Sequence, residues 1–338
     1  MAQRQSCSSS VVLPRGSSPA SNDGYVIGVD LGGTNLRLAL ADSTGLVVAR
    51  WSNSTVGIKN PHEIVSLICD GAQALRQQSS IQQTAIRAIA AGVPGVTDVD
   101  QGMVIATSYL MGWRNVPLRA LLESALGVPA AVDNDVNLGA IGEGWTGAAK
   151  GVRDFVFLAI GSGVGAGIML DGKLHHGRGW TAGEIGYMLV PGTPDAPVAS
   201  GMPGALEGLV GGEGIRAQWQ SLWSKRDTVL PKDLTATQIF DSALTGDPLA
   251  QRVLEQASRT LAYAIYDIAL ILNCPLFVLG GGVGMHPALC DAARKIVEER
   301  GARARPQLCP SSLGEQAQLT GAIRLALDTV NSRTSSLL

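Results

Sequence analysis

Residues 25–51 read YVIGVDLGGTNLRLALADSTGLVVARW, and residues 154–175 read DFVFLAIGSGVGAGIMLDGKLH. In the first stretch an apolar run at Tyr25–Val29 ends in Asp30 and the glycines Gly32 and Gly33. A second run covers Leu36–Leu40, and Gly45 turns the chain into Leu46–Trp51. Short apolar runs divided by glycine turns read as an antiparallel meander. The second stretch repeats this plan, with a strand at Asp154–Ile160, a glycine turn at Gly161–Gly165, a strand at Ala166–Leu170 and a hairpin turn at Asp171-Gly172. A plan that returns once in each half of the chain argues for a duplicated domain.

Between the two meanders the pattern predicts a helix over Pro61–Gln78, opened by proline, and a buried strand over Ile86–Gly92 that turns at Val93-Pro94-Gly95. A helix at Leu118–Leu126, a strand at Ala130–Val132 and a helix beginning over Asp135–Glu143 follow. Beyond the second meander, helices are expected over Ala205–Ser224, Thr237–Thr245 and Pro248–Leu272, the last started by Asp247-Pro248. A strand at Leu276–Leu279 runs into Gly280-Gly281-Gly282, a helix spans Pro287–Gly301, and a last helix lies near Thr320–Leu327. Meanders mixed with helix-linked strands give an α/β fold of two lobes. The expected organisation is a Ser-rich disordered tail over 1–24, a small lobe over 25–133, a large lobe over 134–330 whose last helix crosses back, and a tail over 331–338.

Composition bounds the function. Of 338 residues, 46% are hydrophobic and 16% charged, enough for a large core, and the 42 glycines suggest many places where backbone approaches a ligand. A net charge of −2 with no long basic run gives nucleic acid and membrane surfaces no electrostatic handle. The five cysteines form no CxxC-type pair, which fits a reducing cytoplasm better than a disulfide framework. No stretch is apolar and long enough to span a bilayer.

Several polar clusters interrupt the pattern. In Asp30–Arg37, Gly32 and Gly33 let backbone N–H groups approach an anion, Thr34 adds a hydroxyl, Asn35 and Arg37 follow, and Asp30 faces a phosphate-bound cation through water. An ordinary hairpin is the plainer reading of the same residues. Gly161-Ser162-Gly163 forms a second such turn, followed by a strand where a dinucleotide fingerprint has a helix. Gly281-Gly282 suits a base or ribose, or simply a strand-to-helix turn. Asp133-Asn134-Asp135-Val136-Asn137 holds more polar side chains than a helix cap needs, so at least one carboxylate is left to accept a proton from a hydroxyl. Glu184 and Glu207 sit beside small residues, as sugar-binding carboxylates or as solvated charges, and Asn115 offers an amide. His175-His176 after the hairpin read as exposed rather than metal-bound.

In order, Asp30–Arg37, Gly92–Gly95, Trp113–Leu118, Asn134–Asn137, Gly161–Gly167 and Ala182–Gly186 resemble the ROK family of repressors and sugar kinases, over about Tyr25 to Leu327. The resemblance implies an actin-like, hexokinase-like (ribonuclease H-like) fold with a central cleft, and an ATP-dependent sugar kinase. It assigns Asp135 as the catalytic base and Asn134, Glu184 and Glu207 as sugar contacts, with Gly95 and Asn115 beside them. The loops at Gly32-Gly33-Thr34 and Gly161-Ser162-Gly163 take the phosphates and Gly281-Gly282 the adenosine. Mg²⁺ is expected to be held mainly by ATP, and a homodimer is expected. Many members carry a His and then a Cys-rich zinc motif after the Glu-x-Gly. Here Tyr187 takes the His position, and Met188–Glu207 contains neither Cys nor His, so no structural zinc is expected. Tyr187 then donates to the sugar in its place or only packs. Glucose, phosphorylated at the 6-hydroxyl, heads the expected substrates, ahead of N-acetylmannosamine, fructose and allose. A sugar-responsive regulator would need a helix-turn-helix ahead of Tyr25, where 24 mostly polar residues stand.

Overall fold

A computed structural model describes residues 24–107, 110, 112–193, 202–301 and 303–335. The expected disordered tail over 1–24 lies outside them except for Gly24.

The first half comprises β1 (Tyr25–Leu31), β2 (Asn35–Asp42), β3 (Val47–Ser54), α1 (Pro61–Ser79), β4 (Ile86–Val93), β5 (Val96–Asp98), β6 (Met103–Ala106), β7 (Arg114–Val116), α2 (Leu118–Leu126), β8 (Ala130–Asn134) and α3 (Asp135–Trp145). The second comprises β9 (Phe155–Ile160), β10 (Val164–Leu170), β11 (Lys173–Leu174), α4 (Glu207–Val210), α5 (Gly212–Leu222), α6 (Ala236–Leu244), α7 (Pro248–Leu272), β12 (Leu276–Gly280), α8 (Gly281–Gly284), α9 (Pro287–Arg300), β13 (Gln307–Pro310) and α10 (Ala317–Ser335). The helix starts follow the sequence chemistry. Asn60 caps α1 and Asp247 caps α7, each ahead of a proline whose missing N–H costs nothing there.

Two five-stranded sheets carry the fold, ordered β3-β2-β1-β4-β8 and β11-β10-β9-β12-β13. In each, an antiparallel meander is extended by two parallel strands. The duplicated mixed α/β architecture read from the two meanders is therefore the architecture observed. Alternation along the strands sorts the faces. Leu36, Leu38 and Leu40 point into one core with Ile64 and Ile68 of α1. Ala39, Ala41, Ala88 and Ala90 point to the other face, where their small side chains let α10 pack through Leu319, Ile323 and Ala326. α3 covers β9 and β10 of the second sheet in the same manner, with Ala140 among Phe155, Phe157 and Val278. Each crossing helix thus lies on the other half's sheet, and the two meet where a Cβ on Gly321 would stand 1.8 Å from the Leu138 carbonyl.

Three readings change. The helix expected over Ala205–Ser224 is two helices, because Gly211 is extended and Gly212 N donates to the Gly161 carbonyl at 2.8 Å. The last helix runs on to Ser335, through most of the stretch read as a tail. A three-stranded sheet, β5-β6-β7, stands beside β8 and went unread. Among the described residues no helix is long and apolar enough to cross a membrane.

Candidate active site

Strands β1, β4 and β8 run parallel, as do β9, β12 and β13, so their carboxyl ends open at one edge of each sheet. That edge is the usual ligand side of such sheets, since loops and helix starts gather there. The turns at Gly32–Thr34, Asn134-Asp135, Gly161–Gly163 and Gly281-Gly282 fall on it.

At the end of β1 the hairpin Gly32-Gly33-Thr34 is closed by Gly32 N on Asn35 O (2.8 Å) and held from β3's end by Thr55, whose N donates to Thr34 O and whose hydroxyl donates to Gly32 O. Gly33, Thr34 and Asn35 are exposed. Asp30 and Arg37 do not stand apart. Both Nε and Nη2 of Arg37 donate to Asp30 Oδ2, at 2.8 and 2.5 Å. Burial still outweighs the guanidinium and holds the Asp30 carboxyl above its usual range.

At the end of β8 the structure separates the cap from the spare carboxylate. Asn134 is the N-cap of α3: its Oδ1 accepts from Val136 N and Asn137 N, and its Nδ2 donates to Gly95 O at 2.9 Å. That leaves its amide at most one N–H for a ligand. Asp135 opens the helix, and its Oδ1 accepts from Val136 N at 2.9 Å. Burial, then the charges of Asp30 and Glu184, push its carboxyl up to about 7 against that hydrogen bond. Asp133 points behind the turn, where it accepts from Asn134 N and Asn137 Nδ2.

At the end of β9, the glycine turn carries no side chain across the space beside Gly161, while α5 starts against it through Gly212. Gly281, at φ +78°, lies against the Ile160 carbonyl, and Gly282 faces open space. The Glu184 loop lies along β10: Ala166 N donates to Gly183 O at 2.8 Å. Burial first, then the Glu207 charge, raises the Glu184 carboxyl. Glu207 Oε2 accepts from Val164 N at 2.8 Å and so braces the second hairpin.

The structure therefore joins Asp30, Asp135 and Glu184 by charge, Asn134 to Gly95, Glu207 to Val164, and Gly281 to the end of β9. Asn115 is exposed on β7 with a left-handed backbone, and Tyr187 is 50% exposed at the end of a short 3-10 turn. Sequence reasoning missed His176. It is half-buried, not exposed like His175, and its Nε2 stands 2.8 Å from Asp133 Oδ2. No spacing signals a contact between residues 43 positions apart.

The sequence matches the ROK family over residues 26–329. A glucokinase of Halalkalibacterium halodurans is 32% identical over 269 residues, which are 78% of this chain and 81% of that protein. A xylose repressor of Caldicellulosiruptor bescii is 25% identical over 325 residues, 91% of this chain and 79% of that protein. The solved structure of a ROK family glucokinase from Streptomyces griseus, in complex with glucose and AMPPNP, is 26% identical with a TM-score of 0.76 and covers 90% of this chain and 100% of that one.

Proposed function

The chain belongs to the ROK family, and on that premise we propose that it is a sugar kinase that moves the γ-phosphoryl group of ATP to a hexose, glucose first, at its 6-hydroxyl. The observation that carries the reading is Asp135. Asn134 has taken over the capping, so the Asp135 carboxylate is left at the start of α3, at the end of β8, where burial and the charges of Asp30 and Glu184 raise it to about 7. A base poised near the working pH is what general-base catalysis requires.

In the proposed reaction Asp135 accepts the hydroxyl proton as that oxygen bonds to the γ-phosphorus and the bond to the β-phosphate oxygen breaks, releasing ADP. Glu184 holds neighbouring hydroxyls of the sugar. The two glycine turns hold the phosphates through backbone N–H groups, and Gly281-Gly282 receives the adenosine. The residues fit a nucleotide, since beside Gly161 and Gly282 there is open space that any Cβ would occupy. They also fit a cation carried on the phosphates. Asp30 and Glu184 both raise the Asp135 carboxyl, and a nearby positive charge relieves that repulsion. Mg²⁺ would supply charge neutralisation at the transferring group. The two sheets act as two lobes, and their closure excludes water from the transfer.

The test is sugar-dependent ADP release, run over a panel of hexoses and N-acetylhexosamines with wild type and Asp135→Asn. The expected result is turnover with glucose, abolished in the variant. A wild type that turns over no sugar, or an Asn variant with near-normal kcat, sinks the reading. The family also contains repressors, and sugar binding without turnover is the result that favours that class.

A further inference from the structure

His176 follows β11 and opens the loop that leads to Glu184. Its Nε2 stands 2.8 Å from Asp133 Oδ2, so a bond crosses from the second half to the end of β8. Asp133 is 4% exposed, and its other oxygen accepts from Asn134 N at 2.7 Å and from Asn137 Nδ2 at 2.9 Å. Those two residues flank Asp135. On its other side the imidazole meets Trp180 edge-on, with ring centroids 5.8 Å apart. Trp180 holds φ +61°, a conformation that a bulky side chain adopts only where its surroundings impose it. Ala182 N closes the loop on the His176 carbonyl at 3.2 Å. One side chain therefore touches both the turn that carries the proposed base and the loop that carries Glu184, the proposed sugar-binding carboxylate.

We propose that His176 is a positioning residue, a strap that fixes the Glu184 loop against the Asp133–Asn137 turn so that acceptor and base meet in register. The inference rests on the sugar-kinase reading and extends it. His176 touches neither reacting group. It acts through Asp133 on one side and through Trp180 and the loop backbone on the other. The pair is charge-assisted. Burial opposes protonation of the imidazole, but the hydrogen bond and charge of Asp133, with a further contribution from Asp100 on the β5–β6 turn, prevail and raise it above the usual histidine range. Small errors in placing an acceptor are costly in rate, while the nucleotide site is built from other elements.

The experiment uses the full chain with His176→Ala and His176→Gln, read by sugar-dependent ADP release with the best acceptor of the panel. For the Ala variant the expected result is a loss of about 10- to 100-fold in kcat/KM for the sugar. KM for ATP should stay within about twofold, because the strap does not touch the nucleotide loops. The Gln variant keeps a neutral donor toward Asp133 and should recover most of the loss. NMR titration of the His176 imidazole should show it held above an ordinary histidine and released by Asp133→Asn. Equal losses toward sugar and ATP, an Ala variant with unchanged sugar kcat/KM, or a His176 that titrates normally each overturn the strap. Absence of sugar-dependent turnover in the wild type overturns the kinase reading and the strap with it, whereas an active wild type indifferent to His176 overturns the strap alone.

Discussion

The crossing from β8 into α3 and the crossing from β13 into α10 hold equivalent places in the two halves. Each follows the outermost parallel strand of its sheet, and each sends a helix onto the other sheet. Their turns differ. The first is Asp133-Asn134-Asp135, with one residue capping, one braced from behind and one left as a tuned carboxylate. The second is Ser311-Ser312-Leu313, and it is closed on a structural carboxylate: Ser311 Oγ donates to Glu143 Oε1, which also accepts from Leu313 N at 3.2 Å. Glu143 is fully buried near the far end of α3, and its other oxygen accepts from Ala148 N. Duplication supplied the frame twice. In the proposed function chemistry occupies one copy, and the other copy anchors the helix that carries Asp135.

The largest effect should come from the first crossing. Asp135→Asn is expected to lower kcat by about 10³-fold or more, measured by ADP release. The same change should raise the melting temperature at pH 8 by on the order of 5 °C. The sign follows from the carboxyl's value of about 7 in the folded chain against 3.8 as a free side chain. Ionisation is disfavoured in the folded state, so above about pH 7 the wild type carries the full destabilisation. It fades as pH falls toward 4, and the advantage of the Asn variant should fade with it. Wild-type kcat/KM should likewise fall on the acid side of about pH 7. A melting advantage that grows toward low pH would break the assignment of Asp135 as the strained member of the turn.

The second crossing should respond in stability instead. Glu143→Ala strips acceptors from two part-buried backbone N–H groups and the buried Ser311 hydroxyl, and is expected to cost about 4 kcal/mol. Ser311→Ala removes a donor to Glu143 and the acceptor of Gly314 N, and should cost about 2 kcal/mol. Both are read by denaturant unfolding. Turnover by the Ser311 variant should be nearly normal at temperatures where it is folded. A large kcat loss without loss of stability would show that the two crossings are less divided in role than their turns suggest.

Much of this frame was legible because it is written locally. The Gly32–Thr34 and Gly161–Gly163 turns between apolar runs announce hairpins wherever they occur, and Asn60-Pro61 and Asp247-Pro248 announce helices. What stayed hidden depends on distant partners. The break at Gly211 is set by the Gly161 carbonyl, fifty residues earlier in the chain, which takes Gly212 N. Strands β5 to β7 span three or four residues each, too few for alternation to register. The sequence also left open which of Asn134 and Asp135 caps α3. Only the backbone, with Asn134 extended and Asp135 already helical, decides it. His176 illustrates the same limit, since nothing adjacent to it names Asp133.

The smallest effect should separate two glycines at the edge of the second sheet. Gly281 has φ +78°, and a Cβ there would lie 2.3 Å from the Ile160 carbonyl. Gly281→Ala therefore meets both backbone strain and a clash, and is expected to cost about 2 kcal/mol of stability. Gly161 has neither constraint: its backbone is not left-handed, and no atom lies within 4 Å of where a Cβ would stand. If it were merely a turn, Gly161→Ala would be silent. If backbone at that point approaches a phosphate, the methyl group stands in the ligand's way rather than the protein's. The expected outcome is an unchanged melting temperature with KM for ATP raised about tenfold, equivalent to about 1.4 kcal/mol of lost binding, and KM for the sugar little altered. An alanine at 161 that leaves KM for ATP untouched would remove the second hairpin from the nucleotide site and leave its glycines to the turn alone.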